Sequence, residues 1–241
     1  MPTRERFDAT GHPVKNIILG SIPLAEFDLV RGHLKHLVLA AGETLHAPSD
    51  EIAHTYFLNS GLASLLIDAK SGKTVEVGIA GREGMTAVCV LAGLSRTVHR
   101  AVMQAAGDGF RISAAAFRKV LASAPVLLRK ANLFAAIQSM QIAQTAGCNR
   151  LHDMGQRMAR WLLMTSDRAG AETLAVTHDF LSAMLGTDRV SVTERAVLLQ
   201  ESGAIRYSRG KLRIVDRRKL ESSACECYRA IRQFNRDLGL A

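Results

Sequence analysis

From about Leu37 to Ile112, apolar and polar positions alternate in short runs that glycines interrupt. LVLAAGETLHA, TYFLNSGLASLLID, GKTVEVGIA and HRAVMQAAGDGFRIS each carry partial alternation, the mark of strands with one buried face. Gly42, Gly61, Gly72, Gly81, Gly84, Gly93 and Gly107 fall at the intervals that a β-roll or jelly roll needs for its turns. Alternation is clearest in KTVEVGI, which puts Val75, Val77 and Ile79 on one face and Thr74, Glu76 and Gly78 on the other.

The period then changes from two to that of a helix. Ser123-Ala124-Pro125 reads as a helix start, a serine before a first-turn proline. Val126, Leu133, Ile137, Met140, Gln144, Gly147 and Leu151 follow on one seam, with Lys130 beside them, and predict a helix of about six turns. A seam this narrow is either ordinary core packing or half of a two-helix interface. Residues 149–169 predict a second helix with Leu151, Met154, Met158, Trp161, Leu162 and Met164 on its apolar side, ended by Gly170.

Two short helices come next. Thr177 caps the first, whose Phe180, Leu181, Met184 and Leu185 face a core, and Gly186 ends it. Asp188 can cap the second, which buries Val192, Ala196 and Leu199 and turns Arg189, Val190, Thr193, Glu194 and Val197 outward. Ser191-Val-Thr-Glu194 also fits a capping box, which would start the helix later and leave Arg189 off it. Beyond Gly203, Ile205 and Tyr207 alternate with Arg206 and Ser208, and a Ser208-Arg209-Gly210-Lys211 turn leads back through Leu212 and Ile214. Helix, glycine turn, helix and basic hairpin make a winged helix-turn-helix, whose second helix enters the major groove while the wing meets the backbone.

Charge agrees with that reading. The chain of 241 residues carries a net charge of +9, and between Gly203 and Lys219 seven Arg and Lys residues face one acid, Asp216. A polyanion is the expected partner. Arg189 is misplaced for stability, since the start of a helix favours acids. Its planar fork suits guanine O6 and N7, and Glu194 suits either a cytosine amino group or a neighbouring cation such as Arg195. Thr177 and Ser191 suit phosphate contacts, although both also cap helices. The absence of a long apolar run and the polar start MPTRERFDATGHP predict a cytoplasmic protein with no membrane partner.

Of the four cysteines, Cys89, Cys148, Cys225 and Cys227, only the last two lie close in sequence. With neither a second pair nor a nearby histidine at zinc spacing, no metal site is expected. Redox sensing through Cys225 and Cys227 rests only on the exposure expected near a chain end. A cupin-like enzyme needs clustered histidines, and His46, His54 and His99 stand apart, so no catalytic residues are assigned.

In this order of elements the chain resembles the Crp/Fnr family of bacterial transcription regulators. The resemblance rests on LAAGETLHAPSDEIAHTYFLNSGLASLL and GREGM in the first half and on LGTDRVSVTERAVLLQESGAIRYSRGKLRIVDR in the second. It implies an α+β fold with three parts. Residues 1–122 form a jelly-roll-like, cyclic-nucleotide-binding-like β-roll, 123–149 a long dimerisation helix, and 150–241 the winged helix-turn-helix. It makes Val126, Leu133, Ile137 and Met140 a dimer interface. Arg189 falls on the family's base-reading arginine, with Val190, Thr193 and Glu194 on the outward face beside it, Thr177 and Ser191 on phosphate contacts, and Arg209 and Lys211 at the wing tip.

The implied function is sequence-specific regulation by a homodimer on near-palindromic double-stranded DNA, with RNA polymerase as a further partner and an unidentified small-molecule effector. The alternative is a ligand-binding module that acts through protein contacts. Gly84, Met85, Arg96 and Thr97 fall on the family's ligand positions. Met85 stands where cyclic-nucleotide binders have an acid, which argues against cyclic AMP, and no N-terminal cysteine cluster exists for an iron-sulfur centre. No cofactor is identified.

Overall fold

The computed structural model describes residues 5–237. Helices α1 (Ile17–Ser21) and α2 (Leu24–Arg31) precede seven strands: β1 (Lys35–Leu39), β2 (Thr44–His46), β3 (His54–Leu58), β4 (Leu62–Asp68), β5 (Thr74–Ala80), β6 (Arg100–Ala105) and β7 (Gly107–Ser113). They form sheets of order β1-β7-β3 and β2-β6-β4-β5. Pairing of β7 with both β1 and β3 is antiparallel, as in a roll. Strands β3 and β4 are buried at almost every position, so alternation in their sequence is weak. The core here is built on Ile18, Leu19, Phe27, Phe57, Phe110, Phe117 and Phe134, with Phe57 and Phe117 edge to face at 5.5 Å.

In β5 the expected apolar face holds only at Ile79, which is 2% exposed. Glu76, Gly78 and Ala80 are buried, while Val75 and Val77 are half-exposed. Glu76 tolerates burial because its carboxylate accepts a 2.9 Å hydrogen bond from the Trp161 indole N–H.

Ser113 caps α3 (Ala114–Leu121), and α4 (Pro125–Leu151) follows. The expected serine start of α4 is replaced by a remote cap. The Glu26 carboxylate, on α2, accepts from the Val126 and Leu127 amides at 3.1 and 2.8 Å. The helix ends at Leu151, and Asp153 starts α5 (Met154–Ala169) with a capping box to Gln156. Then come β8 (Thr173–Ala175), α6 (His178–Leu185), α7 (Arg189–Glu201), β9 (Ile205–Ser208), β10 (Lys211–Ile214), α8 (Arg217–Ser223) and α9 (Cys227–Asp237). Strand β8 is not evident from the sequence pattern; it joins β10 on the side away from β9, so the wing is a three-stranded sheet. Among the described residues no single helix is long and apolar enough to cross a membrane.

The chain divides into two compact units. Of the described residues, one comprises 5–65, 79–139 and 235–237; the other comprises Leu66–Gly78 and Met140–Phe234.

Candidate nucleic-acid interface

Helices α6 and α7 are set by local chemistry. The Thr177 hydroxyl accepts from the Phe180 amide at 3.1 Å, and Gly186 closes α6 at φ 61°, a conformation costly for other residues. Asp188 is the cap of α7, accepting from the Ser191 amide at 2.8 Å and its hydroxyl at 2.7 Å. Those bonds hold its carboxyl below the usual carboxylate range. Of the two possible helix starts, the structure has the earlier one, and Arg189 is the first helical residue.

Val192, Ala196 and Leu199 are buried as the spacing predicts. Val190 (67% exposed), Glu194, Val197 and Leu198 stand outward. Arg189 Nε lies 3.5 Å from Asp179 Oδ1, and both side chains are about two-thirds exposed, so the pair is weak and open to exchange. Two expected contact residues are engaged internally. The Ser191 hydroxyl is bonded to Asp188, and the Thr193 hydroxyl donates to the Arg189 carbonyl at 2.9 Å. With its proton used there, Thr193 accepts from His178 Nδ1 at 2.9 Å, and the His178 ring stacks on Tyr207 at 4.4 Å. Burial, then Arg189, pushes the His178 pKa down.

The wing turns at Arg209 and Gly210, with φ 49° and 74°, the pattern of a type I′ hairpin turn. Its outward face carries Arg206, Ser208, Lys211 and Arg213, and Arg206 stands directly opposite Arg213. Like charges opposite each other destabilise a sheet unless an anion lies between them. With Thr173 and Arg209 they line a concavity of about 350 Å³. Register, rather than sequence spacing, reveals the Arg206–Arg213 pair.

Three expectations are corrected. Ile137 is 3% exposed, and Val126 and Leu133 are half-buried against the chain's own core, so Met140, 46% exposed, is the most open of the four. An exposed stripe runs through Ala136, Ser139, Met140, Ala143 and Ala146, because Val126, Leu133 and Ile137 of the seam are taken up by the β-roll core. Gly84 and Met85 are packed into the β-roll core rather than open to solvent. A Cβ on Gly84 would lie 2.0 Å from the Phe134 ring, and Met85 is 1% exposed. Arg96 is exposed, and the half-buried Thr97 pairs its hydroxyl with His99 Nδ1 at 2.8 Å. The third concerns the cysteines: Cys225 and Cys227 are buried and meet Cys148 and His152, residues too distant in sequence for spacing to join them.

A helix-turn-helix with an outward arginine at the head of its second helix and a basic wing behind it defines a winged-helix DNA-binding protein. Residues 156–223 match the Crp-like helix-turn-helix domain. No curated protein matches the sequence. Among solved structures, a Crp/Fnr-family protein from Eubacterium rectale is similar at TM-score 0.68 and 18% identity, over 86% of this chain and 96% of that one. The c-di-GMP-responsive global regulator CLP of Xanthomonas campestris gives 0.68 and 14%, over 80% and 100%. A Crp/Fnr-family transcriptional regulator from Thermus thermophilus gives 0.62 and 21%, over 79% and 98%. The chain therefore has the Crp/Fnr fold with a Crp-like helix-turn-helix domain, and it is a DNA-binding transcription regulator.

Proposed function

We propose that the protein acts as a homodimer on a near-palindromic operator, with Arg189 reading a guanine in each half-site. The observation that carries this is the exposed guanidinium at the first position of α7, held only by a solvent-exposed acid. Val190 suits a thymine methyl and Glu194 a cytosine amino group, while Thr177, Arg209 and Lys211 suit phosphates. Ser191 and Thr193 keep the helix start in place and reach DNA only by exchanging an internal bond. The exposed α4 stripe of Ala136, Ser139, Met140, Ala143 and Ala146 is the dimer surface, since small residues allow close helix approach.

A two-fold dimer sets half-sites about 10 bp apart, or a multiple of this. RNA polymerase is the further partner, and a small-molecule effector acts through the β-roll; the role is regulatory rather than enzymatic. Selection from randomised duplexes tests the reading. Enrichment of a palindrome with a fixed guanine that the Arg189→Ala protein no longer selects is expected; no enriched palindrome would overturn it.

A further inference from the structure

Four side chains that DNA recognition does not use converge in the C-terminal unit. Cys148 lies in the last turn of α4 and His152 just beyond it; Cys225 and Cys227 come from the bend between α8 and α9. One ligand atom of each lies within 4.8 Å of all the others. Cys148 Sγ is 3.5 Å from Cys225 Sγ, and Cys227 Sγ is 3.6 Å from His152 Nδ1. Ligands on a tetrahedron around zinc, at about 2.3 Å for sulfur and about 2.0 Å for nitrogen, stand roughly 3.5–3.8 Å apart. We propose that these residues bind one Zn2+ ion as a closed Cys3His structural site.

The surroundings fit. His152 Nε2 donates to the Glu226 carboxylate at 3.0 Å, which fixes the tautomer and leaves the Nδ1 lone pair facing the sulfurs. Gln144 Nε2 donates to Cys227 Sγ at 3.1 Å, a bond that a thiolate accepts well. The three cysteines are 0–4% exposed, so the ion would be shielded from water. Binding Zn2+ releases the three thiol protons, and a neutral imidazole completes the set, giving a site of net charge −1. Arg160, 4% exposed, acts electrostatically on Cys148, yet its hydrogen-bond partners, Thr145 Oγ1 and Met164 Sδ, are neutral. A buried guanidinium with neutral partners is costly, and an anionic metal site supplies the missing counter-charge. An iron-sulfur cluster spreads its cysteines over several irons, whereas four ligands packed this closely surround a single ion.

None of the four residues lies within residues 156–223; the two ligand pairs flank that segment. The ion thus closes the chain around the whole helix-turn-helix and wing, which restricts the unfolded chain more than the folded one.

The test uses the full chain, purified under reducing conditions without chelator. Elemental analysis should find about one zinc per chain, as a four-ligand site requires. Reduced, metal-free protein titrated with Co2+ should develop the intense visible bands of tetrahedral cobalt thiolate, which Zn2+ then bleaches. Cys227→Ser and His152→Ala should lose these bands or shift them, and Cys89→Ser should keep them. The wild-type cobalt spectrum needs no variant to fold. The proposal is overturned by an octahedral cobalt spectrum or none, by iron with sulfide at the site, or by a Cys148–Cys225 disulfide whose reduction restores no metal uptake.

Discussion

Arg189 occupies a helix end where the backbone amides disfavour a cation, and Asp179 offsets this only across a solvent-exposed 3.5 Å gap. Removing it should therefore leave stability within about 0.5 kcal/mol while costing about 1–3 kcal/mol of binding at one base pair. Titration of Arg189→Ala against single-base operator variants measures the second, and urea unfolding the first. His46 makes the opposite kind of prediction. It is 8% exposed, neither ring nitrogen has a partner, and burial, then His99, pushes its pKa down to about 4. The folded pKa lies below the unfolded value, so the unfolded chain takes up the proton first as pH falls. The stability of the neutral form is thus complete above pH 6.5 and is lost progressively down to about pH 4. A His46→Gln protein should show a shallower decline over that window in denaturant titrations.

At the scale of elements, the buried side of α4 and the exposed stripe proposed for the dimer make separate predictions. Ile137→Ala opens a cavity in the β-roll core and should cost about 2–5 kcal/mol of unfolding free energy. Ala143→Glu places a charge on the exposed stripe and should leave the fold intact while shifting the dimer to monomer in sedimentation. Loss of dimer in Ile137→Ala with native stability would reverse the two assignments. Local signals are reliable in the second half of the chain because caps and turns are made by neighbours. Asp188, Thr177 and Gly186 act within four residues of themselves, and the wing turn needs only two positive-φ positions. They fail at α4, whose first amides are capped by Glu26 about a hundred residues earlier in the chain.

For the whole molecule, a net charge of +9 with Arg206, Arg209, Lys211 and Arg213 on one wing face makes DNA affinity steeply salt-dependent. Lys211→Ala should weaken binding to all sequences alike and reduce the log–log salt slope by about 1. Arg209→Asn should do the same without disturbing the turn, since asparagine tolerates its φ of 49°. A sequence-dependent loss in either variant would move these residues from backbone to base contact.

The sequence by itself determined the helix-turn-helix, the Thr177 cap and Gly186 stop of α6, the buried side of α7, the wing hairpin and the sign of the charge, and it left two starts for α7 between which the structure chose Asp188. Each is written in residues a few positions apart, where backbone geometry alone decides which side chains meet. Only the tertiary structure decided which face of α4 is buried, why Glu76 can leave solvent, and that Gly84 and Met85 belong to the core. It alone joined Cys148 to Cys225 across 77 residues. Those outcomes depend on which distant surfaces come together, and the periodicity of a single segment carries no record of its partner.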